Sequence, residues 1–184
     1  MTNAASSNIQ IETDRLILRP PTMADRPAFM ALLQSERSRF IRNAAEPIPY
    51  SVYFQNILAH WARLGFRHFI LQAKTSGHSV GYVAAIDIPR FPEREIGYGV
   101  WHGQKGHGFA SEGARALIAF AFAELGWETA VSYIHPENLG SIRVAERLGA
   151  WLDETAQAPP ECALVYRHPD PRISVGLSST VPAG

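Results

Sequence analysis

The sequence predicts a mixed α/β (α+β) domain whose strands are mostly antiparallel, with helices on the sheet faces. Three observations predict it. Two β-rich runs, residues 66–74 and 80–88, are separated by little more than Thr75-Ser76-Gly77-His78, as in a hairpin. Residues 111–125 place Ala114, Leu117, Ile118, Ala121, Phe122 and Leu125 on a single helical stripe. Strand-like and helix-like runs then alternate, giving a strand-helix-strand-helix unit late in the chain.

Ile9, Ile11 and Leu16 to Leu18, around Thr13-Asp14-Arg15, predict an opening strand that Pro20-Pro21 ends, since proline cannot donate to a ladder. Thr22 and Asp25 stand three apart, as in a capping arrangement, ahead of a helix with Phe29, Leu32 and Leu33 on its apolar face. A second helix, 51–64, is read from Phe54, Ile57, Leu58 and Trp61, with Gly65 where a left-handed terminating residue belongs. The hairpin follows, then a strand at 95–101 after a proline-rich break. The striped helix at 111–125 stops at Gly126. A strand at 128–135, a helix at 138–148 ended by Gly149, and a last strand at 162–167 complete the domain.

The chain has 184 residues, so one domain over 9–168 is the simplest division, with loose tails at 1–8 and 169–184. Seventeen basic and seventeen acidic residues cancel, which argues against a dedicated nucleic-acid binder, because a phosphodiester footprint needs a basic excess. No charged residue precedes Glu12 and no apolar run approaches the ~20 residues that cross a bilayer, so neither a secretory signal nor a membrane partner is expected. Cys162 is the only cysteine, which forbids an internal disulfide and fits a reducing, cytoplasmic setting. It reads as a small buried hydrophobe, and Trp61, Trp127 and Trp151 as core or interface. Seven histidines occur without His-x-His or His-Glu-x-x-His spacing, so no metal is expected.

The chemistry lies in Val100-Trp101-His102-Gly103-Gln104-Lys105-Gly106-His107-Gly108-Phe109-Ala110-Ser111, a strand feeding a glycine-rich loop that opens the strongest helix. Such a loop aims backbone N–H groups and the positive end of a helix dipole at one place, and a pyrophosphate fits there. Competing motifs fail at single positions. A Walker loop needs Gly-Lys-Ser/Thr where Phe109 follows Gly108, the dinucleotide fingerprint needs glycine at Ser111, and a nucleophile elbow needs glycine at Phe109. Gly103-Gln104-Lys105-Gly106 matches the Gly-x-x-Gly loop of an RNA-binding module, yet the neutral charge opposes that reading.

Four segments in order resemble the GNAT N-acetyltransferases, and within them the enzymes that acetylate ribosomal-protein N-termini. They are Thr13-x-Arg15-Leu16-x-Leu18-Arg19 with Asp25, then Glu95-Ile96-Gly97-Tyr98, then Gly106-x-Gly108-Phe109-Ala110-Ser111-Glu112, and Asn138-x-x-Ser141-Ile142-Arg143-Val144 with Leu148-Gly149. The resemblance covers about residues 12–151. It implies the GNAT fold, a splayed mixed sheet with acetyl-CoA's pantetheine between the fourth and fifth strands, and transfer to a primary amine by direct attack. On its pattern, backbone N–H groups of Lys105, Gly106, His107, Gly108, Phe109, Ala110 and Ser111 hold the pyrophosphate, with His102 in the same loop. Val100 N–H meets the thioester carbonyl, a donor worth ~3 kcal/mol to a developing oxyanion. Asn138 caps its helix and touches pantetheine.

The resemblance places Glu95 as the base that frees the amine, with Glu93 in reserve, since an α-amino group has pKa ~8 and lysine ~10.4. Pairing of Glu95 with Arg94 is the purely structural alternative. Ser141 corresponds to the residue that returns a proton to the CoA thiolate, against a role only in helix capping, with Tyr133 and Tyr98 as substitutes. The sequence departs from the family at Gly99, where an aromatic is usual, at Gly103 and at Lys105. These departures keep open a non-catalytic CoA-binding module and a small-molecule amine acceptor. A peptide N-terminal amine is preferred over polycations, because acids near the motifs are few: Glu93, Glu95, Glu46 and Glu161. A monomer or homodimer is expected.

Overall fold

The computed structural model describes residues 9–40, 49–159 and 164–173. The tails 1–8 and 174–184, Glu46, Glu161 and Cys162 lie outside the described residues. Eight strands form one sheet: β1 (Ile11–Glu12), β2 (Leu16–Arg19), β3 (His68–Ala73), β4 (Ser79–Ile86), β5 (Glu95–Val100), β6 (Val131–Ile134), β7 (Trp151–Leu152) and β8 (Leu164–Arg167). Their order is β1-β2-β3-β4-β5-β6-β8-β7, antiparallel throughout except that β5 and β6 run parallel. The helices are α1 (Arg26–Leu33), α2 (Tyr50–Leu64), α3 (Phe109–Ala123) and α4 (Leu139–Arg147), with 3-10 turns at Met23–Asp25 and Glu36–Phe40.

The hydrophobic pattern explains the layers. Side chains alternate across each strand, so Leu16, Leu18, Leu71, Val83 and Ile96 face α3, whose Ala114, Leu117, Ile118, Ala121 and Phe122 are all buried. The opposite face carries Ile70, Tyr82 and Ala84 against Phe29 and Leu33 of α1 and Phe54 and Ile57 of α2. One sheet thus separates two cores.

The opening strand is in fact two. Thr13 N–H bonds Leu16 O at 3.0 Å, folding the segment into a tight hairpin that pairs Ile11 with Leu18. The capping pair forms at the 3-10 turn rather than on α1 itself, Asp25 Oδ2 accepting from Thr22 N–H at 2.8 Å. Asp25 also takes a forked pair of bonds from Arg19 at 2.7 and 2.8 Å, tying α1 to β2. Burial raises its carboxyl pKa, but these donors outweigh that and hold it below the usual value.

β7 was not expected. Its two residues pair with β8 at the sheet edge, which leaves Trp151 51% exposed, so in this chain Trp151 is not a core residue, unlike Trp61 and Trp127. Residues 169–173 stay attached to the domain: Arg172 donates to Phe122 O at 3.3 Å and lies 5.2 Å over the Phe122 ring.

Candidate active site

The site begins where the sheet parts. β5 and β6 share one register pair, Glu95 with Val131, closed by Val131 N–H to Arg94 O at 3.0 Å. One residue on, Ser132 Oγ donates to Ile96 O at 2.7 Å, a side chain standing in for a ladder bond. Beyond it β6 pairs with β8, and a gap opens beside β5. Trp101 N–H bonds Val80 O on β4 at 2.9 Å. Successive residues turn their N–H groups to opposite edges, so Val100 turns its N–H and C=O toward the gap. There Arg37, from the turn after α1, donates to Val100 O at 2.8 Å.

The loop after β5 is held by three glycines with left-handed backbone: Gly103 (φ 79°), Gly106 (φ 82°) and Gly108 (φ 81°). Gly108 occupies the N-cap of α3, where no side chain caps the helix. A Cβ there would lie 3.3 Å from Arg15 Nη2 on an already unfavourable φ. The first helical bond is Glu112 N–H to Gly108 O, 3.0 Å. Among the described residues, the N–H groups of Lys105 to Ser111 therefore have no protein acceptor, and they gather at the positive end of α3. The helix starts at Phe109, so Phe109, Ala110 and Ser111 form its first turn and not the end of the loop.

A cleft of about 540 Å³ lies between this helix start, the free edge of β5 and the start of α4. Its lining is largely apolar but includes Arg37, Lys105, Arg143 and Arg147. Among the described residues that line it, the one acid is Glu137, which pairs with Arg39 at 3.4 Å. Cations and unused N–H groups beside a largely apolar cleft suit a polyphosphate joined to a flexible arm.

A clamp from the far end of the chain fixes the loop. Glu112 Oε1 accepts from Thr13 Oγ1 at 2.6 Å and Arg15 N–H at 2.9 Å, while Oε2 takes Arg15 Nε at 2.7 Å. Arg15 Nη1 then reaches His107 O at 2.9 Å, and its guanidinium lies 5.1 Å over the Phe109 ring. Burial pushes the Glu112 carboxyl up, yet the Thr13 and Arg15 donors hold it below the usual range.

At the start of α4, Asn138 Oδ1 accepts from Ser141 N–H at 3.2 Å. The capping bond uses the Ser141 backbone and leaves its hydroxyl on the cleft wall. Tyr98 O–H donates to Ser141 O at 3.0 Å, and burial raises the Tyr98 pKa, so it stays protonated. Tyr133 is elsewhere, its hydroxyl accepting from Glu93 N–H at 2.9 Å.

Glu95 stands on the opposite face of β5, toward α2. It is not paired with Arg94, which bonds Asp87 at 3.0 Å. Burial lifts the Glu95 carboxyl to about 7. Its reserve, Glu93, is tied to Arg167 at 2.7 and 2.8 Å, and those bonds hold its pKa low, so Glu93 is a structural ion pair. Gly99 leaves no hole: a Cβ there would meet Tyr82 Cε1 at 2.6 Å, and this ring from β4 occupies the space.

The structure thus gathers Val100, Lys105, Gly106, Gly108, Phe109, Ala110, Ser111, Asn138 and Ser141 on one cleft. His102 and His107 do not line it, although His107 lends its carbonyl to the clamp and stacks on Phe109 at 5.7 Å. Sequence reasoning missed Arg37, which no local motif marks, and Arg147, whose spacing of four from Arg143 on one helix was a usable signal. Among the described residues no group of three potential metal ligands occurs, and no helix is long and apolar enough to cross a membrane.

Residues 15–150 match the acetyltransferase (GNAT) domain family. An acetyltransferase crystal structure from Agrobacterium tumefaciens is 34% identical and superposes with a TM-score of 0.77, covering 91% of this chain and 98% of that one. The Bacillus subtilis protein YkkB is 32% identical over 104 residues, a match spanning 55% of this chain and 60% of YkkB. A putative ribosomal-protein-serine acetyltransferase from Vibrio cholerae shares the fold, at 23% identity and a TM-score of 0.66 over 89% of this chain and 99% of its own.

Proposed function

From the premise that the chain belongs to the GNAT acetyltransferase family, we propose that it transfers acetyl from acetyl-CoA to a primary amine by direct attack in a ternary complex. The observation that carries this reading is the uncapped start of α3, whose N–H groups lie unused beside four cations on a cleft that ends at the β5–β6 gap. The residues fit CoA. Lys105 to Ser111 hold the pyrophosphate, Arg37, Arg143 and Arg147 balance phosphate charge, and Asn138 lies along the pantetheine.

Acetyl-CoA supplies an activated thioester, and the sheet supplies the geometry. Val100 N–H, on the free edge of β5, donates to the carbonyl oxygen as charge gathers there. The amine enters from the α2 face. Glu95, with a carboxyl near 7, takes its proton as the new C–N bond forms and the C–S bond breaks. Ser141 or Tyr98, both on the cleft, returns a proton to the thiolate. A non-catalytic module was suggested by Gly99, but the Tyr82 ring already fills that space. A singly charged acceptor, a peptide N-terminal amine, is favoured because, among the described residues, Glu93 is committed to Arg167 and Glu95 is the acid left beside it on β5.

Isothermal titration tests the cofactor: acetyl-CoA binds and NAD does not. Thiol release with an amine then separates enzyme from binding module. Glu95→Gln should slow transfer most between about pH 7 and the amine pKa of ~8, and least in alkali, where the amine is already free. An unchanged pH-rate profile removes Glu95 from the mechanism.

A further inference from the structure

On the α2 face beside Glu95 lies a second charged group that the acetyl-transfer reading does not use. Arg67 sits between α2 and β3 with φ 141°, the one positive-φ residue other than glycine among the described residues. Backbone held in that region costs of order 1–3 kcal/mol and persists where the surroundings impose it. Here it turns the Arg67 side chain toward Tyr53 and His60, which are seven apart on one face of α2, and toward Glu95.

The guanidinium is poorly satisfied. Nη1 lies 2.9 Å from His60 Nδ1 and 3.0 Å from Nε2, while Nε is buried without a partner. His60 supplies no charge, since burial, then Arg67 and Arg63, lower its pKa and keep it neutral. No described carboxylate forms an ion pair with Arg67. Glu95 is within electrostatic reach, but among the described residues no hydrogen bond or ion pair joins it to Arg67. A half-buried guanidinium held by a neutral ring, with its Nε unpartnered, is costly, and an anion from outside the chain would complete it.

We propose that Arg67 is an acceptor-binding residue that receives a carboxylate of the acceptor, so that the substrate is an amine bearing an acidic group near the nitrogen. The proposal rests on the acetyl-transfer reading above. Glu95 faces the amine end and Arg67 the acid end of one molecule. A free amino acid carries that carboxylate on its backbone, and an N-terminal peptide carries it on an Asp or Glu side chain among its first residues.

The test compares kcat/KM for free amino acids with their carboxamides, and for peptides beginning in Ser-Asp or Ser-Glu with Ser-Asn or Ser-Gln. Wild type should favour the acid of one pair by about 30-fold, chiefly through KM, since a charge-assisted bond discriminates on this scale. Arg67→Met should erase that preference and Arg67→Lys restore part of it. The pair that discriminates identifies the source. Equal rates for acid and amide in both pairs, or a preference that survives Arg67→Met, overturn the proposal. Calorimetry of N-acetylated products of the same pairs on CoA-loaded protein reads the subsite without turnover. An acid preference there that depends on Arg67, with no acetylation of any amine, would sink the catalytic reading and leave the anion subsite standing.

Discussion

Two helices begin on the same cleft, and they begin differently. α4 satisfies its own start: Asn138 O accepts from Ser141 N–H and Ile142 N–H at 3.0 and 3.1 Å, its side chain adds a capping bond, and Leu139 N–H turns back to Glu137 O at 2.9 Å. α3 has a left-handed glycine where a capping side chain would stand, and its acid, Glu112, is drawn away by Thr13 and Arg15. Capping stabilises a helix by about 1 kcal/mol, so α3 gives up local stability. What it keeps is a set of donors with no acceptor inside the protein. A ligand anion can use those donors; at α4 all but the Gly140 N–H are already used.

The contrast breaks most readily at Gly108. Valine there must adopt φ near 81° while crowding Arg15, so Gly108→Val should lower acetyl-CoA affinity at least ~100-fold by titration, through backbone geometry as much as bulk. Wild-type affinity would show that the N–H groups of α3 are not the anion site.

Glu112→Ala tests the clamp. Its loss leaves donors on Thr13 and Arg15 unpaired and should cost about 1–3 kcal/mol in urea unfolding, with a smaller loss of affinity as the loop loosens. The sign with pH follows from a lowered folded-state pKa. The stabilisation is present above the unfolded value and is lost as pH falls through the folded one, so variant and wild type should converge in acid. A difference that grows in acid would contradict the clamp.

Asn138→Ala sharpens the comparison from the other side. It should cost about 1 kcal/mol of stability and only a few-fold in acetyl-CoA affinity. If it weakens binding more than Gly108→Val, the roles of the two helix starts are reversed. The smallest effect is expected from Lys105→Ala, about two- to threefold in affinity with unchanged stability, because its exposed charge is screened by salt.

Much of this site was legible in the sequence because it is local. The order strand, glycine loop, helix lies within a dozen residues, and the α3 stripe from Ala114 to Phe122 names its buried face by period alone. The motif residues Thr13, Arg15 and Glu112 were visible as letters, but their joint purpose was not, since about a hundred positions separate the partners. Tyr82 over Gly99 is the same lesson at short range: an aromatic missing from one strand is replaced by one from the next, and only the pairing of Tyr82 with Gly99 reveals it.

The sequence by itself determined most of the elements, the glycine loop that opens α3 and the family, because propensity, turn chemistry and hydrophobic period act over a few residues. Tertiary structure alone decided which groups meet. It set Arg37 against Val100, raised Glu95 to about 7 by burying it, and left the Arg67 Nε without a partner. Burial and long-range pairing fix the energy of a charge, and neither is a property of the residues next to it in the chain.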